Sequence, residues 1–171
     1  MRPFQLLIVA CLLSLRMHGQ NIALSQLIEI RSQTIGEVEE FLVSKGWEFF
    51  DAEEEGLETY GSVTFTYGKS SFSQSAESFL NYIYSDTLDI KVITLQIHDI
   101  DKYNYYLNSI KSLSSLKDSK IEDGSIIKVY QNPTTTFKIF SSTSTNSYGE
   151  DSAIWLIQIL TNIDYDIYFE D

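Results

Sequence analysis

The chain has 171 residues, 43% of them hydrophobic and 13% aromatic, with 24 acidic residues against 12 basic ones and a formal net charge of −12 at pH 7. That length suits one compact domain or two small ones, and the composition excludes a disordered chain. So acidic a surface is a poor match for nucleic acid or an anionic membrane, because phosphates must be neutralised by cations.

The first 19 residues, MRPFQLLIVACLLSLRMHG, open with Arg2 after Met1, run apolar from Phe4 to Leu15 and hold no acid. This is the layout of a secretory signal peptide, and the run is too short for a helix that spans a bilayer. The cut is expected near Gly19 or Gln20, giving an exported protein, periplasmic or extracellular. One alternative stays open: IVAC at 8–11 fits a lipobox superficially, which would place a lipid anchor on Cys11. Cleavage removes Arg2, Arg16, Cys11, Pro3 and His18. What remains has ten basic residues, no cysteine, and a single arginine (Arg31), histidine (His98) and proline (Pro133), with a net charge of −14. An exported chain without disulfides is held together by its core.

Two helical signals follow. Ser25 is placed to cap a short helix containing Leu27 and Ile28. Thr34 and Glu37 form a T-x-x-E capping box, with Ile35, Val38, Phe41 and Leu42 on one face and Lys45-Gly46 as the stop. A later helix is expected over 101–114, capped by Asp101, with Tyr103, Tyr106, Leu107, Ile110 and Leu113 as its apolar stripe.

The remainder reads as strands. SVTFTY (62–67) alternates cleanly, and SFLNYIYS follows. LDIKVITLQIH switches its apolar phase at Ile93, which predicts a bulge or burial on both faces. SIIKVY (125–130), TTFKIF (135–140) and the almost wholly apolar AIWLIQIL (153–160) come next, the last expected at the centre of the sheet. IDYDIYF (163–169) alternates like an edge strand, and SSTSTNSYGED (141–151) reads as a loop. Shifting the chain by 68 residues places Ile35, Val38 and Leu42 on Tyr103, Tyr106 and Ile110, and Glu54-Glu55-Gly56 on Glu122-Asp123-Gly124. With a larger offset VTFTY meets TFKIF, and 79–84 meets 155–160. The expected fold is α+β, an antiparallel sheet with helices on one face. It is read as a tandem duplication of a helix-plus-four-strand unit, 20–98 and 99–171, in one compact domain.

The chemistry-bearing residues are sparse. A transition-metal site needs several His or Cys ligands, and no metal or other cofactor is expected. Glu53, Glu54 and Glu55 offer oxygens to calcium, but consecutive residues in extended chain point to opposite sides, and a solvated turn explains them. DIDKYN (99–104) begins like a calcium loop and then places Tyr103 at a ligand position. His98 is the sole histidine for any triad, and no GxSxG elbow supports one. The reading is therefore a non-enzyme. Trp47 and Trp155 are assigned to the core. Tyr105 lies off its helix's apolar stripe, which makes it the exposed aromatic best placed for contact.

The ending GQN of the leader, the LSQLIEI start, VEEFLVSKGWEF and EDGSIIKVY together resemble small exported proteins of unknown function from Bacteroidota. In architecture alone, the tandem helix-plus-sheet layout is similar to β-lactamase-inhibitor-like domains, which act by binding proteins. The resemblance implies an envelope or extracellular location and transfers no residue roles. The expectation is an exported protein-binding module, an inhibitor or adaptor. Its acidic turn Glu53, Glu54, Glu55 and Tyr105 would meet a basic patch on another envelope or extracellular protein. The alternative is a carbohydrate- or peptide-binding protein using exposed aromatics.

Overall fold

Capping decides where the helices begin. A computed structural model describes residues 22–70, 76–145, 149 and 151–169; the expected leader 1–19 and Cys11 lie outside them. Helix α1 (Leu24–Ile30) turns Leu24, Leu27 and Ile30 inward. Its cap is Ala23 rather than Ser25, with the Ala23 N–H donating to the Gln26 side chain at 3.0 Å. In α2 (Ile35–Ser44) the predicted capping box forms: Thr34 Oγ1 accepts from the Glu37 N–H, and the Glu37 carboxylate accepts from the Thr34 N–H at 2.8 Å. Gly46, at φ +82°, ends that helix in the left-handed conformation that glycine alone adopts without cost. Helix α3 (Ile100–Leu113) is capped by Asp99, whose carboxylate accepts from the Lys102 N–H at 2.8 Å. Asp101, the expected cap, instead occupies the first turn, where it complements the helix dipole.

The eight strands are β1 (Glu48–Glu53), β2 (Gly61–Tyr67), β3 (Ser78–Ser85), β4 (Ile90–Ile97), β5 (Ser115–Glu122), β6 (Ser125–Gln131), β7 (Thr135–Thr145) and β8 (Asp151–Thr161). They form one antiparallel sheet in the order β1-β2-β3-β4-β8-β7-β6-β5. Each half is a helix-led meander of four strands, and the halves meet where β4 pairs with β8, Leu95 opposite Ile157. β8 is central, as its apolar run predicts. Both outer strands carry a register shift at the same relative place, between Phe49 and Asp51 and between Leu116 and Asp118. Such bulges spoil an edge for further pairing. By position in the sheet β2 answers β6, β3 answers β7 and β4 answers β8. VTFTY therefore does not answer TFKIF, and 79–84 does not answer 155–160. Unequal loops, long between β1 and β2 but only Asp123-Gly124 between β5 and β6, put the sequence offset one strand out.

The phase switch in β4 is burial on both faces, because its pairing with β3 runs without a break. Ile93, Leu95 and Ile97 join α1, α2 and α3 in the main core, which holds Leu27, Val38, Leu42, Trp47, Tyr106 and Ile110. Each such aliphatic side chain, fully buried, contributes about 1.5–3 kcal/mol. Ile90 and Val92 point the other way, into a smaller core with Val129, Leu160 and Tyr165.

Residues 163–169 are helical and not the expected edge strand. A short helix α4 (Asn162–Asp164) is capped by Thr161 Oγ1, which accepts from the Asp164 N–H at 2.9 Å, and a π-helical turn (Tyr165–Phe169) follows. The chain leaves β8 at the sheet centre, where both neighbours are taken, so it folds back across the sheet. A spacing of four brings Tyr165 and Phe169 to the second core together. The expected loop 141–151 is shorter than predicted, since Ser141 to Thr145 continue β7 and Asp151 opens β8.

Candidate partner-binding face

Helices α1, α2 and α3 cover one face, while α4 and the π-helical turn lie on the other, so the helices are not confined to one face as expected. The strand registers determine what that second face displays. One cross-strand row runs Asp51, Thr64, Asn81, Thr94, Gln158, Lys138. The adjacent row runs Glu48, Thr66, Phe79, Gln96, Leu156, Phe140, Ile127. The C-terminal turn crosses part of this face as a strap. Lys138 Nζ donates to the Phe169 carbonyl at 2.8 Å, and the Phe169 ring stacks on Tyr60 with centroids 6.4 Å apart. At its other end Lys117 lies over the Tyr165 ring and pairs with Asp166 at 3.2 Å.

Beyond the strap, Phe79, Phe140, Ile154 and Leu156 are partly exposed and belong to neither core. Phe50 extends this patch, edge-on to Phe79 at 5.8 Å. A cluster of apolar side chains on the part of a sheet face that the strap leaves open, without a core to join, is the kind of surface that marks an interaction site. Thr66 Oγ1, Asn81 Oδ1 and Thr94 Oγ1 are buried on the same face with no hydrogen-bond partner among the described residues.

The bulge in β1 shapes the rim. Without it, Glu48 and Asp51, three residues apart, would point to opposite faces. With it, Glu48, Asp51 and Glu53 pair with Thr66, Thr64 and Ser62 and all three stand on the open face, exposed. The result is an acidic wall beside an apolar row.

The four residues singled out in the sequence do not converge. Glu53 belongs to this wall, and Glu54 is exposed in the following loop. Glu55 points into the fold: its carboxylate accepts from Ser85 Oγ at 2.6 Å and from the Asp86 N–H at 2.9 Å. Those bonds, Ser85 first, hold its pKa below the ordinary value. Tyr105 is 55% exposed but stands on α3, in the helix layer on the opposite side of the sheet, edge-on to Tyr106 at 5.3 Å. Trp47 is buried in the main core, and Trp155 stacks on Tyr103 at 4.7 Å.

No three His, Cys, Asp or Glu side chains among the described residues are grouped to hold a metal ion. His98 contacts Gln96 at 2.9 Å, and burial lowers its pKa; no carboxylate of the described residues orients its ring, as a triad requires. No helix of the described residues is long and apolar enough to cross a membrane. No protein-family model, characterised protein or solved structure matches the chain.

Sequence reasoning missed the open face because its apolar members alternate with polar ones in separate strands. EFFDAE did carry a signal for the acidic wall. Two adjacent phenylalanines break the alternation, and a bulge is what restores it.

Proposed function

We propose that the protein is an exported, non-enzymatic protein-binding module whose sheet face opposite α1–α3 receives a basic surface of another envelope or extracellular protein. The observation that carries this reading is the cluster of Phe79, Leu156 and Phe140, with Gln96 between the first two, left out of both cores and with Glu48, Asp51 and Glu53 on the outer strand of the same face. An apolar centre with a charged rim is the usual anatomy of a protein interface. The net charge of −12 favours a cationic partner and fast, salt-sensitive association. The agreement of the two halves in element order and bulge position is what a duplicated unit would produce.

The test is capture of envelope proteins on the purified protein, repeated with a Phe140→Ser variant and a Glu48, Asp51, Glu53→Gln variant. Reconstitution with the isolated partner then shows whether both variants release it and whether added salt weakens it. A partner held equally by both variants overturns the reading.

A second reading rests on the exposure of Tyr105. A glycan or peptide stacked there would be lost in Tyr105→Ala with the melting temperature unchanged.

A further inference from the structure

At the end of the sheet marked by the β3–β4 turn, away from the apolar row, lies a cleft of about 430 Å³ that contains Arg31, the one arginine after the expected leader. Arg31 follows α1 directly. Its Nε is sealed from solvent and has no hydrogen-bond partner, and its guanidinium makes no ion pair, among the described residues. In a chain with 24 acids, an unpaired arginine is the opposite of what charge attraction alone arranges. A buried N–H without an acceptor is unfavourable and uncommon in folded proteins. Burial lowers the pKa of Arg31, opposed first by the nearby charge of Asp164.

The other walls carry charges of both signs. Lys91 adds a second cation, with a long 3.5 Å contact to the Gln33 carbonyl. Asp89 and Asp164 supply two carboxylates, and Leu88 and Ile163 supply apolar surface, 46% and 69% exposed. Asp164 is itself buried, its N–H bound to Thr161. A simple anion would gain from Arg31 and Lys91 roughly what it lost to Asp89 and Asp164. A small molecule carrying both charges gains from each pair. Arg31 and Asp164 line the same cleft without an ion pair between them, and a zwitterion offers each the opposite charge.

We propose that this cleft binds a free aliphatic α-amino acid, its carboxylate on the Arg31 fork, its ammonium on Asp164 and its side chain against Leu88 and Ile163. A guanidinium suits a carboxylate because its parallel N–H groups match the two oxygens.

The experiment is titration calorimetry on protein purified from the full chain, with L-leucine, L-valine and L-alanine as probes. Two truncated analogues of leucine accompany them: 4-methylpentanoate, which lacks the ammonium, and 3-methylbutylamine, which lacks the carboxylate. The expected result is saturable binding of at least one amino acid, tightest for leucine. Each truncated analogue should bind at least about tenfold more weakly, since each leaves one charged wall unmatched. Arg31→Lys and Asp164→Asn should each weaken leucine by a similar factor. The proposal is overturned if no amino acid gives saturable heat up to about 10 mM, a free energy near −3 kcal/mol. It is equally overturned if 4-methylpentanoate matches leucine, which would define a plain anion site, or if both folded variants bind as wild type does. Should a variant fail to fold, the three-way comparison of leucine with its analogues on the wild-type protein decides the matter.

Discussion

Glu55 holds Ser85. The 2.6 Å bond from Ser85 Oγ to the Glu55 carboxylate, with a second from the Asp86 N–H, ties the β1–β2 connection to the β3–β4 turn. A glutamate that reads in sequence as the third of a solvated run is thus a latch between two loops. Its neighbours Glu53 and Glu54 remain in water.

The latch has a pH dependence with a definite sign. Glu55 has a depressed pKa in the folded state, from Ser85 first and the Asp86 amide second. Its contribution to stability is therefore complete above the ordinary glutamate value and is lost as pH falls through the lower folded value. Glu55→Ala should melt below wild type at pH 7, and the gap should close below about pH 4. Glu53→Ala and Glu54→Ala should melt with wild type at both pH values. Thermal scans of the three variants check this.

The helix caps separate Asp99 from Asp101. Asp99→Ala removes the acceptor of the Lys102 N–H and should cost about 1 kcal/mol, within the range for N-caps. Asp101→Ala loses only a favourable position in the helix dipole and should cost roughly half that or less. Thr34→Ala should cost less than Asp99→Ala, because it removes the Oγ1 acceptor of the Glu37 N–H while the Thr34 backbone N–H still donates to the Glu37 carboxylate. Chemical denaturation at pH 7 distinguishes them.

The strap is tested at its anchor. Tyr165 is buried against Ile90, Val92, Val129 and Leu160, so Tyr165→Ala should cost about 2–4 kcal/mol by loss of packing. It should also raise binding of a hydrophobic dye, because the second core opens to solvent. If residues 163–169 paired as a strand at an outer edge, the dye signal would not change.

Tyr106 carries a buried hydroxyl that donates to the Ile22 carbonyl at 2.6 Å and holds the start of the described chain on α3. Burial pushes its pKa up. Tyr106→Phe keeps the ring and leaves that carbonyl without its donor, which should cost about 1–2 kcal/mol. Urea denaturation measures this, and amide exchange of Ala23 and Leu24 should quicken as the segment loosens.

Much of the fold was legible because it rests on local rules. The Thr34–Glu37 box, the alternation of SVTFTY and the central place of AIWLIQIL each follow from a few neighbouring residues, and the α+β class followed from them. The tertiary structure decided four things that periodicity alone leaves open. IDYDIYF alternates like a strand, yet both neighbours of β8 are occupied, so it became a helical strap with Tyr165 and Phe169 inward. Ile90 and Val92 were apolar for a second core that exists only because that strap covers them. Glu48, Asp51 and Glu53 share a face because of a bulge at Phe50, and Arg31, the Asp89–Lys91 stretch and Asp164 come to one cleft from three separate segments. Charge and apolar pattern are properties of neighbours in the chain; a surface or a cleft is assembled from residues that the sheet register and the loop lengths bring together, and those are set by how the whole chain packs.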